Sequence, residues 1–148
     1  MLLPSTIVTT IRAYTDPLYI GFTVFPASEE EAIEALANVF YQYSLTIVPA
    51  CVTQAAAREV MKIELAGMNA AGAAPAKITA AALTFASALL MEGYTSVPPP
   101  TPLDLSSVAA IGFAGGSAEV CATELATVID AWFRTGTATN GTTTINWQ

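Results

Sequence analysis

The chain has 148 residues, a length that predicts one domain. Apolar residues make up 53% of it and charged residues only 11%, against about 25% charged in an ordinary soluble domain. We therefore expect part of the surface to be covered by other protein. Twelve acidic and five basic residues give a net charge of −7, which argues against nucleic acid and anionic membranes as partners. The sequence has no histidine, the usual proton-transfer group and commonest metal ligand, so we expect no catalytic, cofactor, metal or small-molecule site.

The first 27 residues predict an extended N-terminal arm. Residues 1–27 are rich in Thr, Tyr, Ile and Val, and the densest β-forming stretch runs from Tyr19 to Val24. The segment lacks the basic and long apolar regions of a secretory signal, so we expect the protein to be made and used without export. Tyr19, Phe22 and Phe25 are candidate interface residues, because aromatic side chains are enriched in protein–protein contacts.

Residues 28–134 predict a helical domain, so the expected fold is mainly α, a bundle of about four helices. Ser28 and the three glutamates that follow it form a capping box, which fits them better than a calcium site because consecutive helical residues point in different directions. A second helix is predicted from Ala50 to about Met68, with Ile63 and Leu65 on its apolar side. A third is predicted from Pro75 to Leu90.

The second half of the helical domain begins with a proline-rich connector at residues 97–102. A short helix capped by Asp104 or Ser106 and a last helix capped by Ser117 are predicted to follow. Trp132, on the apolar stripe of the last helix, is a further interface candidate. The glycine-rich residues 112–117 lack the lysine and spacing of a phosphate-binding loop, so they predict an interhelical turn.

Neither of the two longest apolar runs predicts a membrane span. Residues 78–91 and 108–118 are both shorter than the roughly 20 residues needed to cross a bilayer, and both contain polar or glycine residues. Cys51 and Cys121 lie far apart in Ala-rich helical patterns. Two reduced core thiols are the favoured interpretation, and a disulfide between them is the alternative.

Residues 135–148 predict a C-terminal β-hairpin that follows Gly136, the expected helix C-cap. Two Thr-rich segments flank Asn140 and Gly141, a pair typical of a type I′ turn. An isolated hairpin is marginal in water, so it must pair with its own domain or with a neighbouring subunit. Ile145 and Trp147 are therefore interface candidates, and a Trp at a chain end either folds back or inserts into a partner.

The last helix and tail resemble the C-terminal part of small structural proteins of tailed-bacteriophage virions. Over residues 126–139 an Ala-containing helix runs through an aromatic last turn, Trp132 and Phe133, into a Thr/Gly-rich tail. The resemblance covers the last quarter of the chain. It implies a non-enzymatic, multi-copy protein of the capsid, neck or tail, assembled in the host cytoplasm, whose partners are copies of itself and other virion proteins. If the tail is a docking arm, deletion of residues 137–148 is expected to leave the helices folded and to weaken assembly.

Two other classes of function stay open. A soluble helical binding or adaptor module is expected to be monomeric, to have a cleft with converging polar groups, and to fold the C-terminal hairpin onto its own helices. An enzyme that uses carboxylates alone would depend on Glu64, Glu92 or Asp130 for its activity.

Overall fold

The computed structural model describes residues 2–15 and 28–148, which form six helices and a small antiparallel sheet. The mainly α fold that the sequence predicts is confirmed, with the C-terminal strands it includes. The elements in chain order are α1 (Pro4–Thr15), α2 (Glu29–Ser44), α3 (Gln54–Leu65), α4 (Ala74–Ser87), β1 (Thr95–Val97), α5 (Ser106–Phe113), α6 (Ala118–Phe133), β2 (Thr137–Asn140) and β3 (Thr143–Asn146).

The predicted caps at the starts of three helices are present. Each one satisfies a backbone N–H that has no partner within the first turn of a helix. These local signals therefore determine where α2, α5 and α6 begin. The capping bonds are Glu31 N to Ser28 Oγ (3.2 Å), Ser106 N to Asp104 Oδ1 (2.9 Å) and Val120 N to Ser117 Oγ (3.3 Å).

The N-terminal segment is helical over residues 4–15, so the prediction of an extended arm is wrong there. Pro4 begins α1, where its fixed φ and missing N–H suit the first turn. The helix packs on α2 and α6, and its Ile7 is completely buried. Burial of one helix face has outweighed the β propensity of the Thr, Ile and Val residues. The rest of the predicted arm, including the interface candidates Tyr19, Phe22 and Phe25, lies outside the described residues.

The chain before α3 pairs with the chain after α4, and this pairing shortens both predicted helices. Cys51 and Met91 lie opposite each other in an isolated antiparallel bridge. The Thr53 hydroxyl closes this contact, since it donates to the Ala88 carbonyl (2.7 Å) and accepts from the Leu90 N–H (2.7 Å). As a result, α3 begins later than predicted and α4 ends earlier.

The core is organised around the Phe133 ring at the end of α6. Aromatic rings from α2, α4 and the tail surround it in edge-on or tilted arrangements, which favour aromatic pairs beyond simple burial. Both cysteines are free thiols, as the favoured interpretation predicted, but only Cys51 belongs to the core cluster, and Cys121 is half-buried. The centroid distances from Phe133 are 6.1 Å to Phe40, 5.3 Å to Tyr43, 6.3 Å to Phe85, 5.2 Å to Trp132 and 5.9 Å to Trp147.

The C-terminal strands form a hairpin that pairs with β1 of the same chain. Asn140 pairs with Thr143, which leaves Gly141 and Thr142 as a two-residue loop. Gly141 has a φ of +60°, while Thr142 has no positive φ, so the turn follows the type II′ pattern instead of the predicted type I′. On its other edge, β2 pairs with β1 through Ser96 opposite Ala138.

Candidate interaction surface

Trp147, a predicted interface residue, lies in the core of its own domain. Its side chain is 0% exposed, and its indole N–H donates to the Thr137 carbonyl at 3.0 Å. Its backbone N–H donates to the Gly136 carbonyl at 2.9 Å. Gly136 is not the helix C-cap, which is Arg134. A Cβ at Gly136 would lie 2.6 Å from the indole ring, so the glycine leaves the space that Trp147 fills.

The last residue fixes the tail to the connection between α2 and α3. Gln148 N donates to the Val48 carbonyl (3.1 Å), and Val48 N donates to the Gln148 carbonyl (2.7 Å). The hairpin is thus bound to β1 on one side and to residue 48 beyond its end. Of the two pairing partners left open by the sequence, the structure selects the tail's own domain. We therefore expect deletion of residues 137–148 to destabilise the helices, contrary to the docking-arm expectation.

The other described interface candidates also contact the core. Trp132 is 6% exposed, and its indole N–H donates to the Thr101 carbonyl at 2.6 Å, which ties the proline-rich connector to α6. Ile145 is partly buried and packs against the core cluster. These two residues, like Trp147, stabilise the domain in this structure.

A partly buried polar network links Leu2, just before α1, with α2 and α6. The Tyr43 hydroxyl donates to Asp130 Oδ1, and Arg134 Nε donates to Asp130 Oδ2 at 2.8 Å. Arg134 also donates to the Leu2 carbonyl at 3.3 Å. Burial, and then the hydrogen bond to Asp130, raise the pKa of Tyr43 well above its ordinary value. The hydrogen bond to Asp130 raises the pKa of Arg134 as well. Asp130 thus joins Tyr43 of α2 to Arg134 at the end of α6.

The remaining carboxylates considered for an enzyme do not join this network. Glu92 is exposed and Glu64 is half-buried. Within residues 2–15 and 28–148, no three Asp, Glu or Cys side chains are grouped so that they could hold a metal ion. None of the helices in this part of the chain is long and apolar enough to cross a membrane.

Large apolar side chains are exposed at several places, both on the helices and in the segments between them. The most exposed is Ile63 on α3, at 75%. Val52 and Leu90 are 62% and 57% exposed, and they are neighbours because Val52 N donates to the Leu90 carbonyl at 2.9 Å. Covering such side chains with another protein is favourable, because it removes apolar surface from water.

The sequence placed Ile63 on the buried side of α3, and the structure shows that this was wrong. Residues advance by about 100° along a helix, so Ile63 and Leu65 cannot share a face. The buried face consists of Ala57, Met61 and Leu65, which are spaced by four residues. The four-residue spacing was therefore the signal that identifies Ile63 as a surface residue.

Ile63 belongs to an open groove of about 590 Å³, which we call the α2–α3 groove. Ile33 and Ile63 supply large apolar side chains to this groove, and most of its other side chains are charged. Lys62 Nζ lies 2.7 Å from Glu34 and 3.1 Å from Glu59. Glu29 accepts a hydrogen bond from Gly67 N, which joins the start of α2 to the end of α3. The lining residues are Glu29, Glu30, Ile33, Glu34, Glu59, Lys62, Ile63, Ala66 and Gly67.

A second groove, of about 620 Å³, lies between α4 and the start of α5. Its α4 side is formed by Pro75, Ala76, Thr79, Ala80 and Leu83, and its other side is formed by residues 102–106 and Ala109. Asp104 is the charged residue in its lining, and the backbone and side-chain hydrogen bonds from Ser106 hold the pKa of Asp104 below its usual value. This groove is apolar and offers little for a polar ligand.

The described surface therefore offers exposed apolar side chains and two open grooves. These features suit contact with another protein better than binding of a small polar molecule. Comparison of the chain with protein-family models, with curated proteins and with solved structures gave no match.

Proposed function

We propose that the chain is a non-enzymatic structural subunit that works through protein–protein contacts, and that it is a multi-copy neck, tail-completion or minor capsid component of a tailed-bacteriophage virion. The observation that carries the first part is the exposure of Ile63, Val52 and Leu90 on a chain with few charges. Full burial of one such side chain contributes about 1.5–3 kcal/mol. Contact with other subunits is the simplest way for these side chains to become buried.

The virion part of the proposal is supported by the resemblance of residues 126–139. In the structure this segment comprises the second half of α6 and the first residues of β2. Because the hairpin folds onto its own domain, the contacts between subunits are assigned to the helical surface instead of the tail. The partners are copies of the chain and other virion proteins, and the acidic balance favours a position away from packaged DNA.

Density-gradient fractionation of the native source, with an antibody against this chain, tests the proposal. We expect the chain to be recovered with megadalton particles and to stay with them after a second gradient. Recovery only among small soluble proteins would contradict the virion assignment. A buffer-washed particle sample and a lysate without particles are the matched controls.

A second candidate, a soluble helical binding or adaptor module, is favoured by one specific observation. That hypothesis requires the C-terminal hairpin to fold onto its own helices, as the burial of Trp147 shows that it does. Light scattering after size exclusion separates the two candidates. An adaptor stays monomeric at every concentration in this measurement. In the density gradient an adaptor is absent from the particle fractions, whereas a structural subunit is present in them.

A further inference from the structure

We propose that the α2–α3 groove binds an amphipathic helix of a different protein, one whose apolar stripe is flanked by Lys or Arg residues. This inference rests on the proposed function, because it names the chemistry of one partner of the subunit. It depends on three properties of the groove, which are its shape, its exposed isoleucines and its charge.

The shape of the groove fits a helix laid along two others. On the α3 side, Glu59, Lys62 and Ile63 recur at i, i+3 and i+4 on one helix face, and Ala66, the residue that follows the helix, extends the lining. On the α2 side, the lining comes from residues 29–34, also more than one turn. Helices pack by placing the side-chain ridges of one into the grooves of another. Two turns of a partner helix are therefore enough to fill this site.

The apolar contact is supplied by Ile33 and Ile63. Ile33 is half-buried and packs against the core, whereas Ile63 is 75% exposed. Ala66 is also exposed beside them. An apolar stripe on a partner helix would cover these side chains and remove them from water, which is the main favourable contribution to association.

The charge of the groove selects a basic partner. Glu29, Glu30, Glu34 and Glu59 stand around the isoleucines, and two cations, Lys62 and Arg58, pair with Glu34 and Glu59. Four acidic groups against two basic groups leave a local charge of −2. Lys or Arg residues beside the partner's apolar stripe would be attracted to this rim, and acidic residues would be repelled.

A second copy of the chain does not carry the required basic cluster. The sequence has five basic residues; Lys62 lines the groove, and Arg58 pairs with its carboxylates Glu34 and Glu59. Arg134 pairs with Asp130. Arg12 and Lys77 lie on different helices, α1 and α4, so they do not form one basic stripe. The occupant is therefore assigned to another protein.

Fluorescence anisotropy with a labelled Leu/Lys amphipathic peptide of about five helical turns tests this inference. A scrambled peptide of the same composition and a Leu/Glu peptide of the same pattern serve as probe controls. We expect the Leu/Lys peptide alone to bind, with an affinity that falls as salt increases. Ile63→Ser is expected to weaken binding about tenfold, whereas Val120→Ser, at an exposed apolar position on α6, is expected to leave it unchanged.

The charge requirement has its own pair of variants. Glu30→Lys, in the rim, is expected to weaken binding of the Leu/Lys peptide severalfold, and Glu92→Lys, at an exposed position outside the groove, is expected to have no effect. Circular dichroism confirms that each variant is folded before its affinity is compared.

The inference is overturned if the Leu/Lys peptide does not bind, if the scrambled or acidic peptide binds equally well, or if the groove variants behave like their controls. Failure of this inference is distinguishable from failure of the proposed function. A chain that is recovered with particles but does not bind the peptide keeps the structural role and loses the basic-helix site. A chain that binds the peptide but is absent from particles keeps the site and loses the virion assignment.

Discussion

Replacement of Trp147 by alanine tests whether the C-terminal tail belongs to the core. The indole is fully buried, 5.9 Å from the Phe133 ring. Truncation of a buried Trp costs about 3–5 kcal/mol, and loss of the hydrogen bond to the Thr137 carbonyl adds about 1 kcal/mol. Since small domains are stable by only about 5–15 kcal/mol, the variant is expected to lose a large part of its free energy of unfolding.

Urea denaturation followed by far-UV circular dichroism measures this effect, because the helical signal does not depend on the removed chromophore. Val120→Ala, at a position that is 50% exposed, is the control and is expected to change the free energy of unfolding by less than about 0.5 kcal/mol. Trp147→Phe keeps most of the ring and is expected to fall between the two. A loss below about 1 kcal/mol in Trp147→Ala would show that the helices do not depend on the tail.

Three further predictions concern other contacts of the fold. Gly136→Ala places a Cβ 2.6 Å from the indole and is expected to cost about 1–3 kcal/mol in wild type and less in the Trp147→Ala background, as a double-mutant cycle in urea would show. Ser28→Ala removes the α2 cap and is expected to lower the free energy of unfolding by about 1 kcal/mol, whereas Ser107→Ala at an exposed position should not; equal effects would contradict the cap's role. Because the pKa of Tyr43 is raised above its ordinary value of 10.0, folding keeps this proton while the unfolded chain loses it above that pH. Stability should therefore fall above pH 10 by about 1.4 kcal/mol per pH unit more in wild type than in Tyr43→Phe, and identical slopes in pH-dependent urea titrations would contradict this.

Local signals in the sequence predicted where α2 and α6 begin, whereas α1 was not predicted and α3 begins later than predicted. Ser28 and Ser117 cap helices through residues only three positions away, so the information lies within a single turn. The Asn140-Gly141 pair located the hairpin for the same reason, although the turn places Gly141 first in the loop. Such features depend only on residues a few positions away, so the local sequence is enough to predict them.

Contacts between distant parts of the chain could not be predicted in the same way. The Thr53 hydroxyl bonds to groups at the end of α4, and residue 148 bonds to residue 48. Each of these contacts depends on the packing of several elements. The burial of Trp147, which the sequence left open, was decided by the space beside Gly136.

The candidate surface was missed for a different reason. The sequence suggested that aromatic residues near the termini form the interface, and the described ones among them fill or contact the core. The apolar character of Ile63 suggests the buried side of α3, but its angular position on the helix places it on the surface. Strict use of the helical angle would have left it on the surface.

We propose that the exposed apolar surface around Ile63 is covered by another subunit in the assembled particle. The most direct test is the alkylation rate of an Ile63→Cys variant, measured on the free chain and on purified particles. Thr142→Cys at the polar hairpin tip serves as the reference position, and the wild-type chain gives the background from Cys51 and Cys121. We expect the residue 63 thiol to react rapidly in the free chain and to be strongly protected in particles. Equal reaction rates at residue 63 in the free chain and in particles would show that this surface is not covered on assembly.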